Sequence, residues 1–376
     1  MIDRIILFPY SLFLAAKNFM YRSGILKGRT AEVPTVCIGN ITAGGTGKTP
    51  HTEMLLRMLA GSEEWKGKKT AVLSRGYRRS SKGFQKVVPG GSARLFGDEP
   101  VQMAGKFPSV TVAVDRNRIE GCDFLCHPEK LESSRKARRC IDKNIEKADA
   151  IVLDDAFQYR KLKATVNILL TDCSRPFFKD RLIPFGRLRD LPERKRDADI
   201  IIVTKCPAFM DDWEKENWAR RLGLSGYDAR SCTGRDGRGK EQMLLFSGME
   251  HEAMRPVFPE GDMRYVYSQR LILFTGIAND KPLINYLSDN YKIVSHFNFP
   301  DHHRYSTSDV AALNRAAKEW PTAVVATTEK DARRIADVKK VPDFLRERLF
   351  YIPVKVSFLS SCEEEAFRTA VLSRLK

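Results

Sequence analysis

The sequence predicts an α/β protein: a mostly parallel sheet with crossover helices, an apolar helix ahead of it and a second, smaller α/β domain behind it. Three observations carry that prediction. Thr35 to Pro50 runs from an apolar strand into a glycine-rich turn ending in Gly47-Lys48-Thr49, and Glu53 to Ala60 then places apolar residues at helical spacing. From Val33 onward, short apolar runs alternate with helix-like segments, as parallel strands joined by crossover helices do. The chain has 376 residues, more than the roughly 250–300 at which a single core stops growing.

The elements follow in order. Residues 1–30 open with an uncharged run from Ile5 to Ala16, interrupted by Pro9 and followed by Lys17, Arg22, Lys27 and Arg29. The run falls short of the roughly 20 residues that cross a bilayer and lacks a signal-peptide cleavage site, so it reads as an interfacial helix on an anionic membrane. A helix packed on the protein's own surface is the other reading. Strands are expected at Val36–Ile38, Thr70–Ser74, Ser109–Val114, Ala150–Asp155, Asn167–Thr171 and Asp199–Thr204. Their carboxyl ends, where ligands collect in such sheets, carry Ser74-Arg75-Gly76-Tyr77, Asp115-Arg116, Asp154-Asp155, Asp172 and Thr204-Lys205. Ser231 to Lys240 is glycine-rich and basic and reads as an exposed linker. The domains expected are therefore 1–30, 31–225 and 226–376, the last holding strands near 270–279, 292–296 and 322–328.

The glycine-rich turn is a phosphate cradle. Its glycines let backbone N–H groups crowd around an anion, Lys48 neutralises phosphate, and the Thr49 hydroxyl suits a magnesium ion. Thr42 stands where a P-loop usually has its first glycine. Asp154 and Asp155 end a strand, the place from which a carboxylate holds magnesium beside a P-loop; a helix cap is the alternative. Gly97-Asp98-Glu99-Pro100 is either a solvated turn or the source of a carboxylate that accepts an alcohol proton. Phe299 to Tyr305 gathers Asp301, His302, His303 and Arg304 in one loop suited to proton relay, and Ser74 to Arg79 offers guanidinium groups to phosphate. Cys122, Cys126, His127 and Cys140 match no common zinc spacing and read as ordinary thiols of a reducing compartment. A net charge of +17 favours acidic partners: anionic lipid, phosphorylated substrate or nucleic acid. On the residues alone, a nucleotide-switched ATPase or GTPase acting on an acidic partner, of metal-insertion or nucleic-acid type, stays open beside a kinase.

Gly39-Asn40, Thr42 to Pro50, Ser74-Arg-Gly-Tyr77, Gly97 to Pro100, Leu153-Asp-Asp-Ala-Phe-Gln158, Val203-Thr-Lys205 and Pro300-Asp-His302 together resemble the tetraacyldisaccharide 4′-kinases, the lipid A 4′-kinases of Gram-negative bacteria. The resemblance runs in order to about Thr328. It implies a P-loop NTPase fold and an ATP- and Mg2+-dependent transfer to the 4′-hydroxyl of a lipid-linked disaccharide 1-phosphate. It also implies a monomer with no nucleic-acid partner, held peripherally at the cytoplasmic face of the inner membrane. Carried over, Asp98 and His302 are the catalytic pair with Lys48; Thr42, Ala43, Gly44, Gly45, Thr46, Gly47, Lys48 and Thr49 bind nucleotide; Thr49, Asp155 and Asp154 serve the metal; and Arg75, Tyr77, Glu99 and Gln158 contact substrate. With His302 in the second domain, the implied site lies between domains. Family members usually carry glycine at the position of Ala156 and histidine at that of Tyr159, and 129–144 and 231–240 are divergent.

Overall fold

The strand expected before the glycine-rich turn is β1 (Thr35–Gly39), buried at every position and hydrogen-bonded on both sides. The computed structural model describes residues 2–277, 279–301 and 303–376, with side chains from Ile6 onward. Contacts divide the chain into two compact units: 1–90, 103–249 and 356–376 form the first, and 91–102 with 250–355 the second.

In the first unit the strands are β1, β2 (Thr70–Ser74), β3 (Gln85–Lys86), β4 (Thr111–Val114), β5 (Ala150–Asp154), β6 (Val166–Asp172), β7 (Ile200–Thr204), β8 (Ser225–Asp228), β9 (Thr233–Arg235) and β10 (Glu241–His251). Their order is β3-β4-β2-β5-β1-β6-β7-β10-β9-β8, with β4 through β10 parallel along that path. Val, Ile and Leu fill β1, β2, β5 and β7, which are buried throughout because both faces of a parallel sheet are covered. β1 sits between β5 and β6, so the turn leaving it opens beside the carboxyl ends of both.

Helix α1 (Ile2–Arg22) continues through Pro9. Leu14 and Asn18 are buried, Asn18 donates to Asp190 and Arg22 pairs with Asp197, so one stripe of the helix is docked on its own unit. Elsewhere Ile6, Phe8, Leu12, Phe13 and Phe19 are each more than half exposed. No helix among the described residues is long and apolar enough to cross a membrane. Helix α2 (Lys48–Ala60) buries Leu55, Leu56 and Leu59, side chains worth about 1.5–3 kcal/mol each on burial.

The segment expected to be an exposed linker is not one. β9 extends the first sheet antiparallel to β10, β8 pairs antiparallel with β9, Cys232 is fully buried, and Asp236 accepts from the Arg238 and Lys240 amides in a tight turn. Glycine and basic residues there serve a hairpin. The units are accordingly cut at 249/250, not at the 225/226 boundary expected from composition.

The second unit contains α3 (Asp98–Lys106) up to Gln102, and a sheet of β11 (Arg255–Pro256), β12 (Arg270–Thr275), β13 (Lys292–Asn298), β14 (Val324–Thr328) and β15 (Leu349–Ile352) in the order β11-β15-β14-β12-β13. Helix α4 (Glu329–Ala336) follows β14 directly, with the Thr328 hydroxyl accepting from the Asp331 amide as its cap. The chain then returns to the first sheet through β16 (Val354–Phe358), which pairs with β10, and α5 (Ser361–Leu372), whose buried Glu363 meets Lys215 at 3.1 Å.

Candidate active site

The glycine-rich turn adopts the geometry that glycine permits. Gly44 has φ +109° and Gly47 φ +83°, in the region other residues avoid, and a Cβ on Gly47 would collide with Met249. The turn is held from several directions. Asn40 donates to the Thr46 hydroxyl at 2.7 Å, the Ala43 amide to the Arg187 carbonyl at 2.6 Å, and the Thr204 hydroxyl to the Thr46 carbonyl at 3.1 Å. Thr42 forms an antiparallel bridge to Leu188, a pairing open to any residue with an extended backbone. The turn delivers its amides to the N-terminus of α2, where the helix dipole favours an anion. Thr49 is buried, and Lys48 lies 3.8 Å from the Asp155 carboxylate. Below the turn His51 is buried and neutral, since burial pushes its pKa down to about 4.

At the end of β5 the two aspartates differ. Asp154 is fully buried and accepts from the Ser74 hydroxyl at 3.1 Å and, more weakly, from Thr52 at 3.5 Å. Asp155 turns outward at φ +49°, an unusual conformation for a non-glycine residue, its amide held by the Ile38 carbonyl at 3.0 Å. The donors here, Thr49, Asp154 and Asp155, are hard oxygens. Magnesium takes few protein ligands beside water and phosphate, so the set fits that ion although the described residues contain no cluster of three acidic, histidine or cysteine ligands. Arg118, which opens the helix two residues past the Asp115-Arg116 pair, reaches the Asp155 carbonyl at 3.5 Å and lies over Tyr159. It is 2% exposed, with an Nε that has no hydrogen-bond partner. In the sequence only its position just beyond the polar end of β4 marks it.

In the second unit the acidic turn is the first turn of α3, and it is not simply solvated. Arg334 of α4 donates to Asp98 Oδ2 through Nε at 2.8 Å and approaches the same oxygen with Nη2 at 2.7 Å, while its Nη1 binds Asp331 at 2.8 Å and the Gly276 carbonyl at 3.0 Å. Glu99 meets Lys330 at 2.5 Å. Burial opposes charge on Lys330, but the Glu99 carboxylate holds the ammonium above its usual range. Neither arginine nor lysine was marked by sequence reasoning, because 231 and 236 residues separate the pairs. His302 lies outside the described residues. Its neighbour His303 stacks on Phe299 and bonds Asp309 at 3.0 Å.

Comparison with known proteins agrees with this architecture. The profile of the family Tetraacyldisaccharide-1-P 4′-kinase matches residues 4–376. A tetraacyldisaccharide 4′-kinase of Phocaeicola vulgatus is 34% identical over 354 residues, covering 93% of this chain and 88% of the relative. The same-named protein of Flavobacterium johnsoniae is 32% identical over 381 residues, covering 99% and 97%. The chain belongs to the tetraacyldisaccharide 4′-kinase family. A crystal structure of LpxK from Aquifex aeolicus in complex with ATP superposes with a TM-score of 0.67 at 24% identity, covering 98% of this chain and 99% of that one, which establishes a shared fold.

Within this kinase family the remaining expected positions are distributed as follows. Arg75 and Tyr77 are exposed beyond β2, and Arg78 lies over the Tyr77 ring. Gln158 has a buried Nε2 with no hydrogen-bond partner. Tyr159 donates to Asn117 at 3.0 Å. Cys122, Cys126 and Cys140 are buried thiols; burial pushes Cys122 up to about 12, and His127 is occupied by Glu32 at 2.8 Å and Glu129 at 3.2 Å. That cluster is ordinary packing.

Proposed function

We propose that this protein transfers the γ-phosphoryl group of ATP to the 4′-hydroxyl of a tetraacyldisaccharide 1-phosphate, a lipid A precursor. The observation that carries the reading is one strand-loop-helix unit, β1 to α2, that brings Lys48, Thr49 and Asp155 to a single strand end in a chain matched over residues 4–376 by the kinase family. The switch-type reading lacks such support.

Loop amides and Lys48 hold and polarise the nucleotide's phosphates, which in phosphoryl transfer supplies most of the catalysis. Thr49 and Asp155 would hold magnesium, with buried Asp154 supporting them, and the ion would supply charge neutralisation at the phosphates. Asp98, with His302 as its partner, accepts the 4′-hydroxyl proton while that oxygen attacks the γ-phosphorus. The bond to the β–γ bridging oxygen breaks and ADP departs with the electron pair. Arg75, Tyr77 and Gln158 contact the disaccharide phosphate. Exposed Phe8, Phe13 and Phe19 seat α1 in the interfacial layer of an anionic membrane, the cytoplasmic face of the inner membrane, where the monomer meets its lipid.

Incubating the detergent-solubilised protein with ATP, Mg2+ and the disaccharide 1-phosphate should yield a bisphosphate and ADP in equal amounts. ATP consumption without a phosphorylated lipid would refute the assignment.

A further inference from the structure

We infer that His51, braced by Ser247, is a positioning residue for the phosphate loop: it turns the Gly47 carbonyl away from the nucleotide and thereby aims the Lys48 amide at the phosphates. The inference rests on reading this loop as the nucleotide site. His51 Nδ1 lies 2.7 Å from the Gly47 carbonyl oxygen, which can only accept, so the Nδ1 nitrogen carries the ring proton. Nε2 is then the acceptor, and the Ser247 hydroxyl donates to it at 2.9 Å. Ser247 is fully buried in β10, and its carbonyl accepts from the Cys206 amide at 3.0 Å, so the brace is anchored in the sheet.

The peptide group explains the consequence. In a trans peptide the C=O of one residue and the N–H of the next point in opposite directions. The Thr204 hydroxyl holds the Thr46 carbonyl from the sheet side, which aims the Gly47 N–H; the Gly47 carbonyl, which aims the Lys48 N–H, accepts the first helical bond from the His51 amide at 3.1 Å and is pinned a second time by the His51 imidazole at 2.7 Å. Two successive peptides of the cradle are thus oriented by side chains from β7, α2 and β10. Gly47 is the residue with φ +83°, whose peptides are the least restrained by their own conformation. A Cβ on Gly47 would meet the His51 ring at 3.3–3.4 Å, so the imidazole fills the space directly against this turn. An oriented N–H costs nothing to reorganise when phosphate arrives, whereas a loop with a loose Gly47 peptide must be ordered by the ligand.

The test measures nucleotide binding on the full-length, detergent-solubilised protein by displacement of a fluorescent ATP analogue with ATP and with adenosine, beside steady-state kinetics. Removing a buried hydrogen bond on the loop predicts a Kd for ATP raised about tenfold in His51→Ala and about threefold in Ser247→Ala. His51→Gln, whose amide N–H reaches for the same carbonyl, should return to within about threefold of the natural protein. KM for the disaccharide and the weak displacement by adenosine, which has no phosphate, should stay unchanged. If His51→Ala does not fold, Ser247→Ala and His51→Gln decide. ATP affinity within twofold of the natural protein in the folded variants overturns the inference, as does equal weakening toward adenosine. A natural protein that binds ATP but phosphorylates no lipid would remove the kinase reading and leave this one standing.

Discussion

Replacing Asp98 by asparagine separates chemistry from structure. The amide keeps an acceptor oxygen for Arg334, and Arg334 keeps Asp331 at 2.8 Å and the Gly276 carbonyl at 3.0 Å, so the buried guanidinium is not stranded. Before the substitution one cation faces two carboxylates, Asp98 and the fully buried Asp331; afterwards it faces one, and the local charges balance. With the acceptor oxygen and the other Arg334 partners retained, the structural cost is that of weakening one charge-assisted hydrogen bond to a neutral one, about 1–2 kcal/mol. The chemical cost is of another size. An amide cannot accept the hydroxyl proton, and loss of general-base help slows turnover by roughly 10²–10⁴, equivalent to about 2.7–5.5 kcal/mol in the barrier. The assay follows ADP release and bisphosphate formation at saturating ATP, with ATP affinity and Tm measured on the same preparation. Turnover falling at least a hundredfold, with ATP Kd within about threefold, is expected. A kcat within threefold of the natural protein would refute the role, and so would a loss of activity matched by an equal loss of ATP binding.

The other perturbations address the cradle, the metal, the loop against it and the membrane. Lys48→Met should lower kcat/KM for ATP by about 10²–10³ without moving KM for the lipid, which an ATP titration reads directly. Asp155→Asn should raise the Mg2+ concentration giving half-maximal rate by about tenfold, and an unchanged Mg2+ dependence would take the metal away from this residue. Asp180 accepts from Arg175 Nε and Nη2 at 2.9 and 3.0 Å and from the Arg181 and Arg187 amides, and although burial opposes ionisation these donors hold its carboxyl below the usual range. A depressed folded-state pKa stabilises above the unfolded value near 3.9 and is lost as pH falls through the folded one. Asp180→Asn should therefore cost about 1–2 kcal/mol at pH 7 in urea unfolding, with the gap to the natural protein closing below about pH 4. Phe8→Ser, Phe13→Ser and Phe19→Ser combined should weaken flotation with anionic vesicles by at least tenfold while Tm holds, since all three side chains point away from the docked stripe of α1.

What was legible in the sequence shares one property: its physics is local. A strand, three glycines and a helix read correctly from Val36 to Ala60 because each piece constrains the next within a few residues, and the Asp154-Asp155 pair is visible as the polar end of an apolar run. Misreadings fall where a partner lies far along the chain. Ser231 to Lys240 has the composition of a linker, yet pairing with β10 turns it into a hairpin, and no local pattern announces that Cys232 will be fully buried. Gly97 to Pro100 reads equally well as solvated, because Arg334 and Lys330 are more than 200 positions away.

The same distance argument bears on the phosphate loop. Its glycines, lysine and threonine specify what the loop offers to an anion, and these are contiguous. What holds the loop in that geometry is not: Arg187 comes from a later loop, Thr204 from the end of β7 and Ser247 from within β10. A loop whose amides must converge needs its carbonyls held on the opposite side, and neighbours in sequence cannot do this because they share the loop's own backbone. The carbonyl-holding donors therefore come from further along the sheet, Thr204 from β7 and, through His51, Ser247 from β10, while the Arg187 carbonyl accepts from the Ala43 amide. His51 is the exception that is near in sequence, one helical turn beyond Gly47, and it is itself braced by Ser247, 196 residues away. A phosphate-loop sequence on an unrelated sheet would present the same amides with a looser aim, and the ATP affinity of the His51 and Ser247 variants measures how much of the binding comes from that aim.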